Sequence, residues 1–318
     1  MALIIQDVQV LIVVFISLPL TVFALGMRLW SRSLQRLALK FNDYMAITGA
    51  IFATIVAATC LVDVSIGVLG RHTSDLELTD PKALGKFGIF FVPGEIFWAA
   101  ANTCVKLSVL SLYTVLFSGR RFKQLCYFVM GAAILYSLSV LLETFTLCQP
   151  VQYNWNKNIP GGKCADQGLA LLLSGIINLV IDAVTVALPM PKLYGLQIPL
   201  TRRLAIASMF GLGALIWVIS FSRILAIWRW SLKDPTWRSN LICIYTILEP
   251  MLGVVNACLP TSRPALQRLF KSRASRPDLP RTSPSQSSTA ITNEGSLIDI
   301  RASGRYKQMD DDIPLTDM

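Results

Sequence analysis

The chain has 318 residues, a formal net charge of +10, 53% apolar residues and only 15% charged ones. A soluble domain of this length needs more polar surface than that. About 20 consecutive apolar residues cross a hydrocarbon core of about 30 Å, and runs of that length fill most of the sequence.

Seven such runs lie at about 8–30, 44–66, 88–117, 125–147, 169–190, 204–228 and 241–262. The expected fold is all-α: a polytopic membrane protein, a seven-transmembrane-helix bundle. No basic residue precedes the first run, which is too long for a signal-peptide core, so it reads as a retained span after an extracellular terminus of residues 1–7.

Loop charges orient the bundle. The loop after the first span carries Arg28, Arg32, Arg36 and Lys40. Arg120, Arg121 and Lys123 follow the third span, Lys192, Arg202 and Arg203 follow the fifth, and the last span runs into Arg263, Arg268, Lys271, Arg273 and Arg276. These fifteen bases face eight on the opposite side: Arg71, Lys82, Lys86, Lys157, Lys163, Arg229, Lys233 and Arg238. Positive charge stays cytoplasmic, so the amino terminus is outside and the carboxyl terminus inside. Anionic inner-leaflet lipid accounts for the net charge, and nucleic-acid binding is not implied.

Cys60, Cys104, Cys126, Cys243 and Cys258 fall in or at the spans, where cysteine behaves as a small hydrophobe. Cys148 and Cys164 flank CQPVQYNWNKNIPGGKC, a loop on the side that permits disulfides, and are expected to be bridged. His72 is the only histidine and no set of residues has metal-ligand spacing, so no metal is expected. Beyond the last span, SRPALQRLFKSR predicts a short basic interfacial helix at 263–271, with Pro264 near its start. Residues 272–318 are rich in Ser, Thr and Pro and predict a disordered cytoplasmic tail.

A charge at mid-bilayer costs at least ~3 kcal/mol, so intramembrane charges should face the bundle interior. At 100° per residue, Glu95, Asn102, Lys106 and Tyr113 of span three fall within about 40° of one another. Ser174, Asn178, Asp182 and Thr185 of span five fall within about 80°, as do Tyr245, Glu249, Gly253 and Asn256 of span seven. Each span thus gathers its polar groups on one stripe. By depth, Glu95, Glu143, Arg223 and Glu249 belong to the outer half, and Lys106 and Asp182 to the inner half. Two arrangements follow. Lys106 and Asp182 form an inner pair. Arg223 sits between Glu95 and Glu249 in an outer ligand pocket that also takes in Asn102, with Tyr245 on its wall. These groups either hold the bundle together or bind a ligand, and both roles can coexist.

The order of features resembles the fungal rhodopsin-domain family of seven-span membrane proteins. The resemblance rests on FNDYMA (41–46), GVLGRH (67–72), KLSVLSLYTVLF (106–117) and the CQP…W…GGKC loop (148–164). It continues through NLVIDAVTVALPMPKLYGL (178–196), SFSRILAIW (220–228) and EPMLGVVNACLPTSRP (249–264). The resemblance implies a receptor-like or sensor function, with a small extracellular or lipophilic ligand and a cytoplasmic signalling partner reached through basic loops and tail. It does not imply retinal: a Schiff base needs a lysine in the seventh span, where this chain has Glu249 and none. No cofactor is expected. Span three ends in LYTVLFSGRR, with no acid–arginine–aromatic triplet, and span seven has no Asn-Pro-x-x-Tyr, so G-protein coupling would rest on architecture alone.

Two alternatives stand beside this reading. Glu95, Asp182 and Glu249 could serve as proton donors in a membrane enzyme, such as an acid-catalysed cyclase of secondary metabolism, or the chain could be an accessory protein of such a pathway. A carrier is disfavoured by the lack of an internal repeat. Multi-pass insertion, in the plasma membrane before internal membranes, is the expected location.

Overall fold

A computed structural model describes residues 5–66, 81–117, 119–155, 159–193, 200–229 and 239–261. GVLGRH with His72, the basic segment 263–271 and the tail 272–318 lie outside the described residues. The long helices are α1 (Ile5–Leu34), α2 (Phe41–Ile66), α3 (Pro81–Leu116), α4 (Arg120–Thr146), α5 (Gln167–Ala187), α6 (Leu200–Trp228) and α7 (Ser239–Cys258). Each is long and apolar enough to cross a membrane. In hydrocarbon every backbone N–H and C=O must be satisfied within the segment, which leaves the helix as the form for these apolar runs.

Several helices outrun the apolar stretches that announce them. α1 begins at Ile5, α3 at Pro81 and α4 at Arg120, because a helix keeps its hydrogen bonds where its side chains turn polar at the interface. α7 instead stops at Cys258, before a turn at 259–261, since Pro260 cannot donate to the ladder.

α3 and α7 form the centre. Over their spanning segments they are 61% buried, against 28–39% for the other five. α2 packs on α3, α1 on α7, and α6 on both α5 and α7. Large side chains such as Phe15, Phe128 and Trp228 point outward, as a bilayer-facing surface requires. Close approach of the central pair depends on Gly253, where an added Cβ would lie 2.9 Å from Val105 Cγ1.

A small cap covers the outer end. Strands β1 (Cys148–Gln149) and β2 (Lys163–Cys164) pair antiparallel, with Cys148 opposite Cys164 and a disulfide joining the two. Trp155 lies on α3, where a Cβ on Gly88 would come within 3.1 Å of its Cα.

The opposite end is held by charge. Arg28 and Asp43 are fully buried, with Arg28 Nε 2.8 Å from Asp43 Oδ1. Arg28 Nη1 also donates to the Ala257 carbonyl at 2.6 Å, one of the last carbonyls of α7, which have no partner within their own helix. Asp43 Oδ2 accepts from the Lys40 backbone N–H at 3.0 Å, as the third residue of a helix does in a capping box, and pairs with Arg32 Nε at 3.1 Å. One buried carboxylate thus ties α1, α2 and the end of α7. Arg28 and Arg32, expected as loop charges, both sit within α1, and Arg28 faces the bundle interior.

Candidate functional site

Two polar networks occupy the bundle interior. In the outer one, Arg223 of α6 donates through Nη2 to both oxygens of Glu95 on α3, at 2.9 and 3.1 Å. Its Nε donates to Thr246 Oγ1 on α7 at 3.2 Å, and its Cζ lies 3.6 Å from the centroid of the Trp98 ring. The guanidinium is thereby held in its plane by an acid, a hydroxyl and an aromatic face, which suits arginine and not lysine. Arg223 and Glu95 line a cavity of about 40 Å³ with Thr59, Cys60, Asp63 and Cys243. A water needs roughly 10–15 Å³ of such space, so the cavity holds a few water molecules or a comparably small group. Asp63 is 4% exposed, and its Oδ1 makes no hydrogen bond among the described residues.

The inner network centres on Asn178 of α5. Its Oδ1 accepts from Lys106 Nζ at 2.7 Å, while its Nδ2 donates to Asp182 Oδ2 at 3.1 Å and to Glu249 Oε1 at 2.6 Å. Lys106 Nζ lies 3.1 Å from Asp182 Oδ1, and Ser220 Oγ donates to Asp182 Oδ2 at 3.4 Å. Asn102, Lys106, Asp182, Glu249 and Asn256 line a second cavity of about 40 Å³. Two carboxylates here face one ammonium.

The structure brings Lys106 to Asp182 and Arg223 to Glu95. It differs for Glu249, which joins the inner network, and no ion pair among the described residues links it to Arg223. Along α7, Thr246 is the residue whose hydroxyl reaches Arg223, and Glu249, three residues further from the outer end, meets Asn178 of α5 instead. Thr246, one turn above Glu249, takes the expected place beside Arg223.

Tyr245 is half-buried and is not on the outer cavity wall; its neighbour Thr246 faces that way. Asn102 sits two turns below Glu95 and lines the inner cavity, not the outer one. Glu143 is half-buried and lines neither cavity. Sequence reasoning missed Asp63, Trp98 and Asp43. Asp63 is a buried acid within an apolar run, a placement whose desolvation cost is itself the signal in the sequence.

The fold and its interior charges define a polytopic helical membrane protein with a polar core. Residues 27–268 match the fungal rhodopsin domain, more than half of the chain, and the chain belongs to this family. It is 26% identical over 272 residues to the polyenoic acids biosynthesis gene cluster protein Ba17b of Metarhizium anisopliae, covering 82% of this chain and 74% of that protein. It is 27% identical over 205 residues to a SAT4 family membrane protein of Emericella nidulans, covering 62% of this chain and 50% of that one. It is also 22% identical over 245 residues to the receptor GIN3 of Arthrobotrys oligospora, covering 77% and 59%. No solved structure matches.

Proposed function

We propose that the chain is a receptor-like membrane sensor, placed in the plasma membrane, whose outer cavity takes a small ligand. The observation that supports this reading most is on α7: Thr246 contacts Arg223 in the outer network, and Glu249, one turn below, belongs to the inner one. A ligand that competes for Arg223 or hydrogen-bonds to Asp63 shifts α7, and the inner network transmits that shift toward a cytoplasmic signalling partner at the basic loops and tail. The walls are mainly apolar, including Val56, Phe90, Leu171 and Ile242, so the part of the ligand that enters is a small, mostly apolar group carrying one polar atom. The reading involves no retinal, because α7 carries no lysine.

A second reading is favoured by the relative named for a polyenoic acid gene cluster: an accessory protein or acid-dependent enzyme of a secondary-metabolite pathway. One experiment separates them. A deletion strain is complemented with the wild-type gene or with Arg223→Met, and both surface responses and secreted metabolites are compared. A sensor loses its response while the metabolites present under fixed induction stay the same. Loss of one metabolite with accumulation of its precursor, at unchanged surface response, overturns the sensor reading. Membrane abundance of the Arg223→Met protein is measured alongside, so that misfolding is not taken for loss of response.

A further inference from the structure

Two cysteines that the networks do not use lie together at the outer cavity. Cys60 lies six residues before Ile66 on α2 and Cys243 four residues after Ser239 on α7. Both line the cavity beside Asp63 and Thr246. Their sulfurs are 2.7 Å apart, although both are thiols in the structure. Even carbon atoms, smaller than sulfur, settle near 3.5–4.0 Å when only in van der Waals contact, and a disulfide closes to about 2.05 Å. The helices therefore bring the two sulfurs inside non-bonded contact, on the side of the bilayer where Cys148 and Cys164 are already bonded.

We infer that Cys60 and Cys243 form a second disulfide, a covalent tie between α2 and α7 in the wall of the outer cavity. The oxidant is the disulfide of a thiol–disulfide oxidoreductase of the secretory route, the same class of reagent that must form Cys148–Cys164. One cysteine thiolate attacks that disulfide to give a mixed disulfide and releases one carrier thiolate. The second cysteine attacks the mixed bond and releases the other. The two cysteines lose two protons and two electrons, and the carrier leaves as its dithiol. The bond would hold α2 against the helix that carries Thr246 and Glu249. Reduction would release the wall and leave the Cys148–Cys164 cap as a separate tie.

The test uses the full-length protein from its own membranes. Membranes are dissolved in sodium dodecyl sulfate with excess N-ethylmaleimide and no reductant, which blocks exchange after lysis, and peptides are mapped by mass spectrometry. The expected result is alkylation at Cys104, Cys126 and Cys258 only, with two cross-linked pairs, Cys148–Cys164 and Cys60–Cys243. In Cys60→Ser protein, Cys243 becomes alkylated while the Cys148–Cys164 pair persists. Alkylation of both Cys60 and Cys243 in most wild-type molecules, with Cys148–Cys164 intact, overturns the inference. Should Cys60→Ser fail to accumulate, the wild-type map alone decides.

Discussion

Asn178 Nδ2 donates to Glu249 Oε1 at 2.6 Å, joining α5 to α7 at the middle of the bundle. The same amide accepts from Lys106 and donates to Asp182, so one neutral side chain separates two acids and orients one base. An amide suits this place because it offers a donor and an acceptor and adds no further buried charge.

Asn178→Leu should therefore destabilise the protein by about 1–3 kcal/mol, the usual cost of leaving buried polar groups unsatisfied. Asn178→Asp should be worse, because it adds a third carboxylate. Thermal unfolding of detergent-purified protein gives the order. Equal stability of Asn178→Leu and wild type would remove Asn178 from its central role.

The Lys106–Asp182 contact supports a double-mutant cycle. Asp182→Asn should cost roughly 3–5 kcal/mol by removing the carboxylate in direct contact with the buried Lys106 ammonium, since Glu249 reaches that network through Asn178. Lys106→Met combined with Asp182→Leu should recover much of that loss, since replacing a whole buried pair by apolar groups is often neutral. Additive losses would mean that the two residues are not energetically coupled.

At the cytoplasmic end the two arginines on Asp43 should differ. Arg28 is fully buried and also serves the Ala257 carbonyl, while Arg32 is 13% exposed. Arg28→Ala should cost about 3–5 kcal/mol. Arg32→Ala should cost less than Arg28→Ala, because Asp43 keeps Arg28 as its partner when Arg32 is removed. Melting temperatures in one detergent settle it, and a larger loss for Arg32→Ala would contradict the burial argument.

Two glycines predict opposite outcomes. A Cβ on Gly253 meets Val105 at 2.9 Å, whereas one on Gly26 meets nothing within 4 Å. Gly253→Ala should destabilise by about 1–3 kcal/mol through overpacking, with partial rescue by Val105→Ala. Gly26→Ala should be neutral, or stabilising by up to about 1 kcal/mol from helix propensity. The comparison is a pair of unfolding curves, and a neutral Gly253→Ala would show that α3 and α7 are free to separate there.

Much of the molecule was legible in residue order. Seven apolar runs located the seven long helices among the described residues, because hydrocarbon admits no other backbone form for them. Lys106 and Asp182 could be matched because each has few opposite charges at its depth. Arg223 and Glu95 followed from the same reasoning. Asp43 escaped it because a carboxylate just inside a helix start looks like an ordinary first-turn acid.

Residue order alone therefore specifies the spans and the inward face of each polar stripe. Segment length, loop charge and a 100° repeat are local quantities, and lipid penalises any departure from them. Which groups meet depends on how the helices pack against one another. Periodicity assigns a residue to a face of its own helix but not to a level shared with another, and the helices run past their apolar cores by different amounts. Those offsets put Thr246 rather than Glu249 beside Arg223 and gave Glu249 to Asn178. They also brought Cys60, read as a small hydrophobe, against Cys243.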